Sequence, residues 1–406
     1  MKQLKKPPQS GANTSKIELI RHKRKMKRLR IGAVLVLILT VVLVFCLTNI
    51  GSYGLSAISD GFDSAQMAFF KGNGFPVHNT VDEYIDSASI SGSIAVLGKK
   101  ELVIFSPSGA PLSTVQHGYA NPKLTASSKK LCVYNQGGTE LRIEGRKQEI
   151  AIKTFDQPIL FAKYAKNSTL AVVTGSSTHK AELTVFTAGG EEIFKFKLVN
   201  DYPVGIDFAE DNKTMSLTCV TPDNGQLMSS VYILNTGLEK EKAKTERKNG
   251  VPLYTHFLSA TRLLVVYDDG AVVYNTKDCA EVANYSFPDK LLAVSRENEQ
   301  NTGFLFGDEK QPLHNKFVVL DSEFKAIAGK DIPVSASQIF VTRQTVYIFA
   351  TKEVYAYDFK TQTMQKLSLD GYAVDMLLAD VPVYITNTQI DVLPPMVTPT
   401  PLPTQK

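Results

Sequence analysis

Three observations in this 406-residue chain predict an all-β fold, a β-propeller of eight blades preceded by one transmembrane α-helix. Short β-branched runs recur along residues 94–385. A second run with a shared ending follows most of them. Ahead of both lies one apolar stretch without a charge, set behind a basic cluster.

The apolar stretch comes first in the chain. From Ile31 to Leu47 every residue is apolar except Gly32 and Thr40, and no charge falls between Arg30 and Asp60. At 1.5 Å per residue, residues 31–50 reach about 30 Å, the hydrocarbon thickness of a bilayer. Arg21–Arg30 carries seven Lys/Arg, which by the positive-inside rule keeps the N-terminus cytoplasmic and places everything beyond residue 50 outside. A cleaved signal peptide is the rival reading, with Leu55-Ser56-Ala57 as a loose cleavage site. The apolar run and the segment before it are both long for a signal peptide, which favours an uncleaved signal-anchor. The expected location is therefore the cell membrane, single-pass, with membrane lipid as partner through residues 31–50.

Charge follows the same division. Residues 1–30 hold eleven Lys/Arg and one acid, a net +10, whereas the remainder sums to −5. The overall +5 is a local, topological signal, so no nucleic-acid partner is expected. Of four cysteines, Cys46 falls in the apolar stretch; Cys132, Cys219 and Cys279 are far apart with no CxxC spacing, and no disulfide is expected.

Residues 51–74 read as a juxtamembrane linker, after which helical periodicity disappears. The recurring runs are Ile94–Leu97, Leu131–Tyr134, Leu170–Val173, Ser216–Val220, Leu263–Tyr267, Phe304–Phe306, Val346–Phe349 and Val383–Ile385. Their starts lie 37 to 47 residues apart, about 41 on average, the length of a four-stranded blade. Third strands end in an aliphatic residue or Ala, an aromatic or Leu, and a polar turn former. The turn formers are Ser106, Thr187, Asn235, Asn275, Asp321 and Asp358, whose side chains can accept hydrogen bonds from the amides that follow. Gly109, Gly189, Gly190 and Gly237 are expected to supply positive φ.

Inner strands are expected at residues 122–126, 159–163, 204–208, 253–257, 291–295, 338–341 and 375–378, making the propeller residues 75–393. The last blade lacks a fourth strand before the Pro-rich tail, residues 394–406, so Phe75–Val81 can close the ring by filling that place. Seven blades is the alternative, because the first and last units are the weakest. Glu239–Lys248, eight charges of mixed sign in ten residues, sits where an outer edge strand belongs. Charging such an edge blocks sheet-to-sheet association.

Chemistry is harder to find. The six histidines are well separated, and no HExxH, GxSxG elbow, Walker loop or GxGxxG is present. Neither a metal nor a cofactor is expected. The chain has no Trp, which removes the WD dipeptide of WD40 blades and the Trp motif of quinoprotein dehydrogenases. Asp207 and Asp375 are the chief inner-strand acids and the channel candidates. Three turns between second and third strands look expanded, at residues 175–180, 221–229 and 307–316, and in a propeller they share one face. Their polar residues His179, Asp223, Asn224, Asp308 and His314 form a candidate contact rim.

The basic N-terminus with its single span, Gly74-Phe75-Pro76-Val77 before the first blade and His117-Gly118-Tyr119-Ala120-Asn121-Pro122 between the first two resemble a family of uncharacterised Firmicutes membrane proteins defined by a domain of unknown function. The resemblance spans roughly residues 15–393 and implies a membrane-tethered WD40-like or quinoprotein-like propeller; it implies no activity and no catalytic residues. The expected function is a non-enzymatic binding or scaffold module for an envelope protein or polymer. The alternative is a cell-envelope hydrolase with carboxylates distributed around the channel.

Overall fold

The structure, a computed structural model, describes Thr40 and residues 72–245, 248–295, 301–308, 310–394 and 396. The basic segment, all of the expected span but Thr40, nearly all of the linker and most of the Pro-rich tail lie outside the described residues. Among the described residues no helix is long and apolar enough to cross a membrane.

Among the described residues eight antiparallel sheets follow one another, seven with strands in sequential order from an inner to an outer position and the last taking its outer strand from the start of the ring. The inner strands are Tyr84–Ile90, Pro122–Ala126, Ile159–Tyr164, Tyr202–Phe208, Pro252–Ser259, Lys290–Val294, Ala336–Val341 and Ala373–Leu378, which define blades 1 to 8. Every recurring run of the sequence lies in a second strand. These strands are flanked by sheet on both edges and packed by neighbouring blades on both faces, which is why they are continuously apolar rather than alternating. Cys132 and Leu141 of blade 2, for instance, share a core with Ile159 and Val172 of blade 3. Each such fully buried side chain contributes about 1.5–3 kcal/mol. Cys132, Cys219 and Cys279 are buried free thiols; burial raises all three, Cys279 to about 11.

Val77–His78 pairs antiparallel with Gln389–Val392, so the start of the ring supplies the fourth strand of its last blade, as the missing strand predicts. The turn formers act as expected. Side-chain oxygens of Ser106, Thr187, Asn235, Asn275, Asp321 and Asp358 accept from Ala110, Glu191, Gly237, Lys277, Lys325 and Thr361 amides at 2.7–3.2 Å. Gly109 and Gly190 take positive φ, 80° and 87°; Gly189 and Gly237 do not, and the Gly237 amide instead receives the Asn235 bond.

The charged run of blade 4 forms two short outer pieces, Ala243–Lys244 and Lys248–Asn249. It is more than a solvated edge. Lys244 Nζ lies 3.0 Å from the buried Asp201 carboxylate and 4.2 Å from the Tyr232 ring centroid.

The ring has two unlike faces. Turns from first to second strands make the lower face and are tied between blades. The Ser91 hydroxyl donates to Ser128 O at 2.6 Å, Ser127 and Ser168 hydroxyls meet at 2.7 Å, and Asn167 N donates to Asn212 Oδ1 at 3.1 Å. Turns from second to third strands make the upper face, where two blades extend. In blade 4, Thr214–Asp223 and Gln226–Asn235 form ten-residue strands joined by Asn224-Gly225, both at positive φ. In blade 6, Thr302–Asp308 pairs with Gln311–Leu320. The expanded turns expected at 221–229 and 307–316 are therefore mostly strand; only 176–180 remains a loop.

Candidate functional site

The central channel opens at the upper face through a cavity of about 670 Å³ walled by the inner strands of blades 1, 2, 5, 6, 7 and 8. Seven of the eight inner strands among the described residues carry a register shift near their upper end. Each shift leaves one residue unpaired: Ile85, Leu160, Val204, Leu253, Leu292, Ser337 and Val374 in blades 1 and 3 to 8. A β-bulge releases a side chain from the ladder and re-aims it. Ile85, Leu253, Leu292, Ser337 and Val374 line the cavity, so the bulges build an apolar collar interrupted by one serine. Blade 2 has no bulge; its Lys123 lines the same cavity.

Below the collar the wall turns polar. Asp375 Oδ2 accepts from the Ser87 hydroxyl at 2.9 Å and from the Tyr84 hydroxyl, while Oδ1 accepts from Met376 N at 2.8 Å. Asp375 thereby ties blade 8 to blade 1. Burial, and then the neighbouring Asp375 charge, drives the Tyr84 phenol far above its ordinary pKa and keeps it a hydrogen-bond donor. Asp86 lines the cavity as well, and Gln338 Nε2 donates to Val374 O at 2.9 Å.

Asp207 occupies a different level. Thr125, Lys163, Asp207 and His256 hold one register position on four successive inner strands, opposite Cys132, Ala171, Ser216 and Leu264. Asp207 Oδ2 accepts from Phe257 N at 3.0 Å and lies 3.1 Å from His256 Nδ1; Lys163 Nζ is 3.6 Å from Oδ1. Thr125 Oγ1 accepts from Tyr164 N at 3.0 Å in the same manner. These side chains staple each blade to the next. Burial pushes the Asp207 pKa up, but the His256 bond, the Lys163 charge and the Phe257 amide together outweigh it and hold the carboxyl below the usual range. Asp375 lines the upper cavity and Asp207 does not, so the structure does not bring the two channel candidates together.

The rim residues divide among three blades. Asp223 closes the blade 4 ladder opposite Gln226, and Asn224 shapes its turn with φ 48°. Asp308 accepts from Lys310 N at 2.8 Å within the blade 6 tip, and His314 is exposed on the returning strand. His179 is mostly buried in the blade 3 loop, its Nδ1 within 3.0 and 2.9 Å of the Ser176 and Thr178 hydroxyls. Asn224, Asp308 and His179 thus hold turns. Sequence reasoning missed the collar residues, Asp86 and Lys123. The inner strand of blade 1 had no counterpart among the seven expected ones. The Asn-Gly pair at 224–225, a two-residue hairpin signal, marks the long hairpin of blade 4 in the sequence itself.

A family model described as a family of unknown function, DUF5711, matches residues 74–392. No curated protein matches the chain. Solved propellers share the fold at low identity. Sqt1 from Saccharomyces cerevisiae is 9% identical with a TM-score of 0.59, covering 80% of this chain and all of that one. The C-terminal WD40 domain of Sif2 is 13% identical, TM-score 0.54, covering 79% and 99%. BamB from Moraxella catarrhalis is 6% identical, TM-score 0.52, covering 78% and 98%.

Proposed function

This chain belongs to the family of unknown function DUF5711, and from that premise we propose that it is a membrane-anchored, extracytoplasmic propeller that binds an envelope protein or polymer without catalysing a reaction. One observation carries the binding reading. On the upper face Tyr202, Val204, Leu227, Leu253, Leu292 and Leu313 stand 42% to 63% exposed on inner strands and hairpin tips. Apolar side chains exposed on one face, with Leu253 and Leu292 at the open cavity itself, mark a contact surface. Anchoring rests on the charge-free stretch at 31–50 and the basic cluster before it.

Cross-linking in intact envelopes tests the reading, comparing the wild-type chain with variants whose blade 4 and blade 6 hairpins are shortened to the length of blade 5. Loss of specific adducts from the shortened forms is the expected result. An unchanged adduct set removes the upper face from consideration. Protease treatment of intact protoplasts should digest the propeller and spare residues 1–30; the reverse pattern overturns the orientation.

A further inference from the structure

We infer that the groove between blades 2 and 3 is a binding site for an uncharged saccharide unit of an envelope glycan. The inference rests on the reading of the chain as an envelope-binding module. It uses a different surface from the channel mouth, so the two can fail separately.

The groove holds a cavity of about 390 Å³ beside the blade 3 loop. One wall comes from the third strand of blade 3, Ala181–Phe186, and the facing wall from the end of blade 2, between Lys153 and Gln157. Thr184 makes the strongest case. It precedes the trio Val185-Phe186-Thr187 that ends its strand. The same place in blades 1, 5 and 6 holds Val103, Val272 and Val318, each packed into a buried apolar cluster. Thr184 has the shape of valine and is buried too, yet it lines the cavity with a hydroxyl in place of a methyl. Thr174, paired with Glu182 across the neighbouring strand, is a second buried threonine on the same lining. Among the described residues neither hydroxyl has a hydrogen-bond partner. A hydroxyl withdrawn from bulk water without a partner gives up hydration and returns nothing to packing. A polar ligand in the groove supplies the missing bonds.

The rest of the lining names the class of ligand. Among the described residues its large apolar side chains are Phe155 and Phe186, set edge to face with centroids 6.1 Å apart. Both ammonium groups are already engaged. Lys195 Nζ lies 3.1 Å from the Glu192 carboxylate and 3.9 Å from that of Glu182. Lys153 Nζ donates to Gly190 O at 3.1 Å and sits over the Phe186 ring. An anionic polymer therefore meets the carboxylates of Asp156, Glu182 and Glu192 with both lysines committed. An acyl chain or an aliphatic peptide side chain has only the two rings to cover. A saccharide suits the whole lining, because each hydroxyl can donate to a carboxylate or accept from a threonine while the C–H face of the sugar ring covers an aromatic one. The blade 3 loop is held in advance: Gly175 N donates to Pro158 O at 2.9 Å, and His179 Nδ1 is fixed beside Ser176 and Thr178. Little ordering remains to oppose binding.

The test uses the full chain in lipid nanodiscs and fluorescein-labelled tetrasaccharides of glucose, galactose and N-acetylglucosamine, read by anisotropy. Labelled poly(glycerol phosphate) and a labelled Ser-Asn peptide represent the competing classes. At least one tetrasaccharide should bind about tenfold or more tightly than either of them. Thr184→Val should weaken that binding about tenfold while leaving the melting curve unchanged or raising it, since a methyl suits a buried site better than an unpartnered hydroxyl. Gln157→Ala, on the facing wall, should weaken it as well, whereas Leu253→Asp at the channel mouth should not. Should Thr184→Val lower the melting curve, Gln157→Ala decides alone. Absence of saccharide binding at about 1 mM, preference for the phosphate polymer or the peptide, or binding indifferent to both groove variants each overturns the site. If it is overturned while hairpin-dependent adducts persist in envelopes, the groove falls and the binding reading stands. If those adducts are missing too, both fall.

Discussion

The two faces of the ring are made from the same strands and solve opposite problems. On the lower face, short turns of neighbouring blades exchange hydrogen bonds, as between Ser91 and Ser128 or Asn167 and Asn212, and Asp207 fastens three inner strands a little above them. On the upper face, bulges loosen the inner strands and two hairpins rise past their neighbours. The chain also enters and closes on the lower side, where Gly72 and Gly74 amides bond to Ser108 in a blade 1 turn. Closure is thus concentrated at one end, which frees the other to present side chains that stability does not need. Regions of low stability and binding surfaces commonly coincide for this reason.

The wall shared by both faces should be the most sensitive part. Phe304 is fully buried between blades 5 and 6, with Phe287 and Phe306 rings 5.4 and 6.1 Å away. Phe304→Ala should cost about 3–5 kcal/mol in chemical denaturation. A cost below that of a surface change would mean the blades are not packed as one wall.

Next comes the lower-face staple. Asp207→Ala leaves the buried Phe257 amide without its acceptor and should cost about 1–3 kcal/mol at neutral pH. Because the folded carboxyl lies below its ordinary value, this stabilisation is complete above the unfolded carboxylate pKa of about 4 and is lost as pH falls through the folded value. The stability gap between wild type and variant should therefore shrink between pH 7 and pH 3. A gap that stays constant over that range contradicts the ionised staple.

Smaller effects belong to the upper face. Asn224 sits at positive φ beside Gly225, and Asn224→Ala should cost about 1 kcal/mol through turn strain alone. Proteolysis at the blade 4 tip should rise while the lower face keeps its amide protection. Smallest of all, Leu253→Ser should change stability by no more than about 0.5 kcal/mol while weakening ligand binding. A large stability loss from Leu253→Ser would erase the contrast between a structural and a presenting face.

Much of the lower face could be read in the sequence because it is local. The polar residues closing third strands act over two to four positions, and all six do what their chemistry suggests. The hairpins were harder to see. Residues 221–229 and 307–316 are rich in polar side chains, which hides strand continuation behind the appearance of a loop. Asp207 was legible as an inner-strand acid, but its partners His256 and Lys163 come from strands 49 and 44 positions away in the chain.

By itself the sequence determined the blade-length repeat, seven of the inner strands that line the channel and the closure of the last blade by the first strand, while leaving seven or eight blades open. Spacing and hydrophobic period are properties of the chain, and burial on both faces of a radial sheet imprints them directly. Tertiary structure alone decided the eighth inner strand, the bulges, the depth at which Asp207 and Asp375 part company, and the mouth that Leu253 and Asp86 both line. A bulge is a relation of register between two strands, and register emerges only when the strands pair.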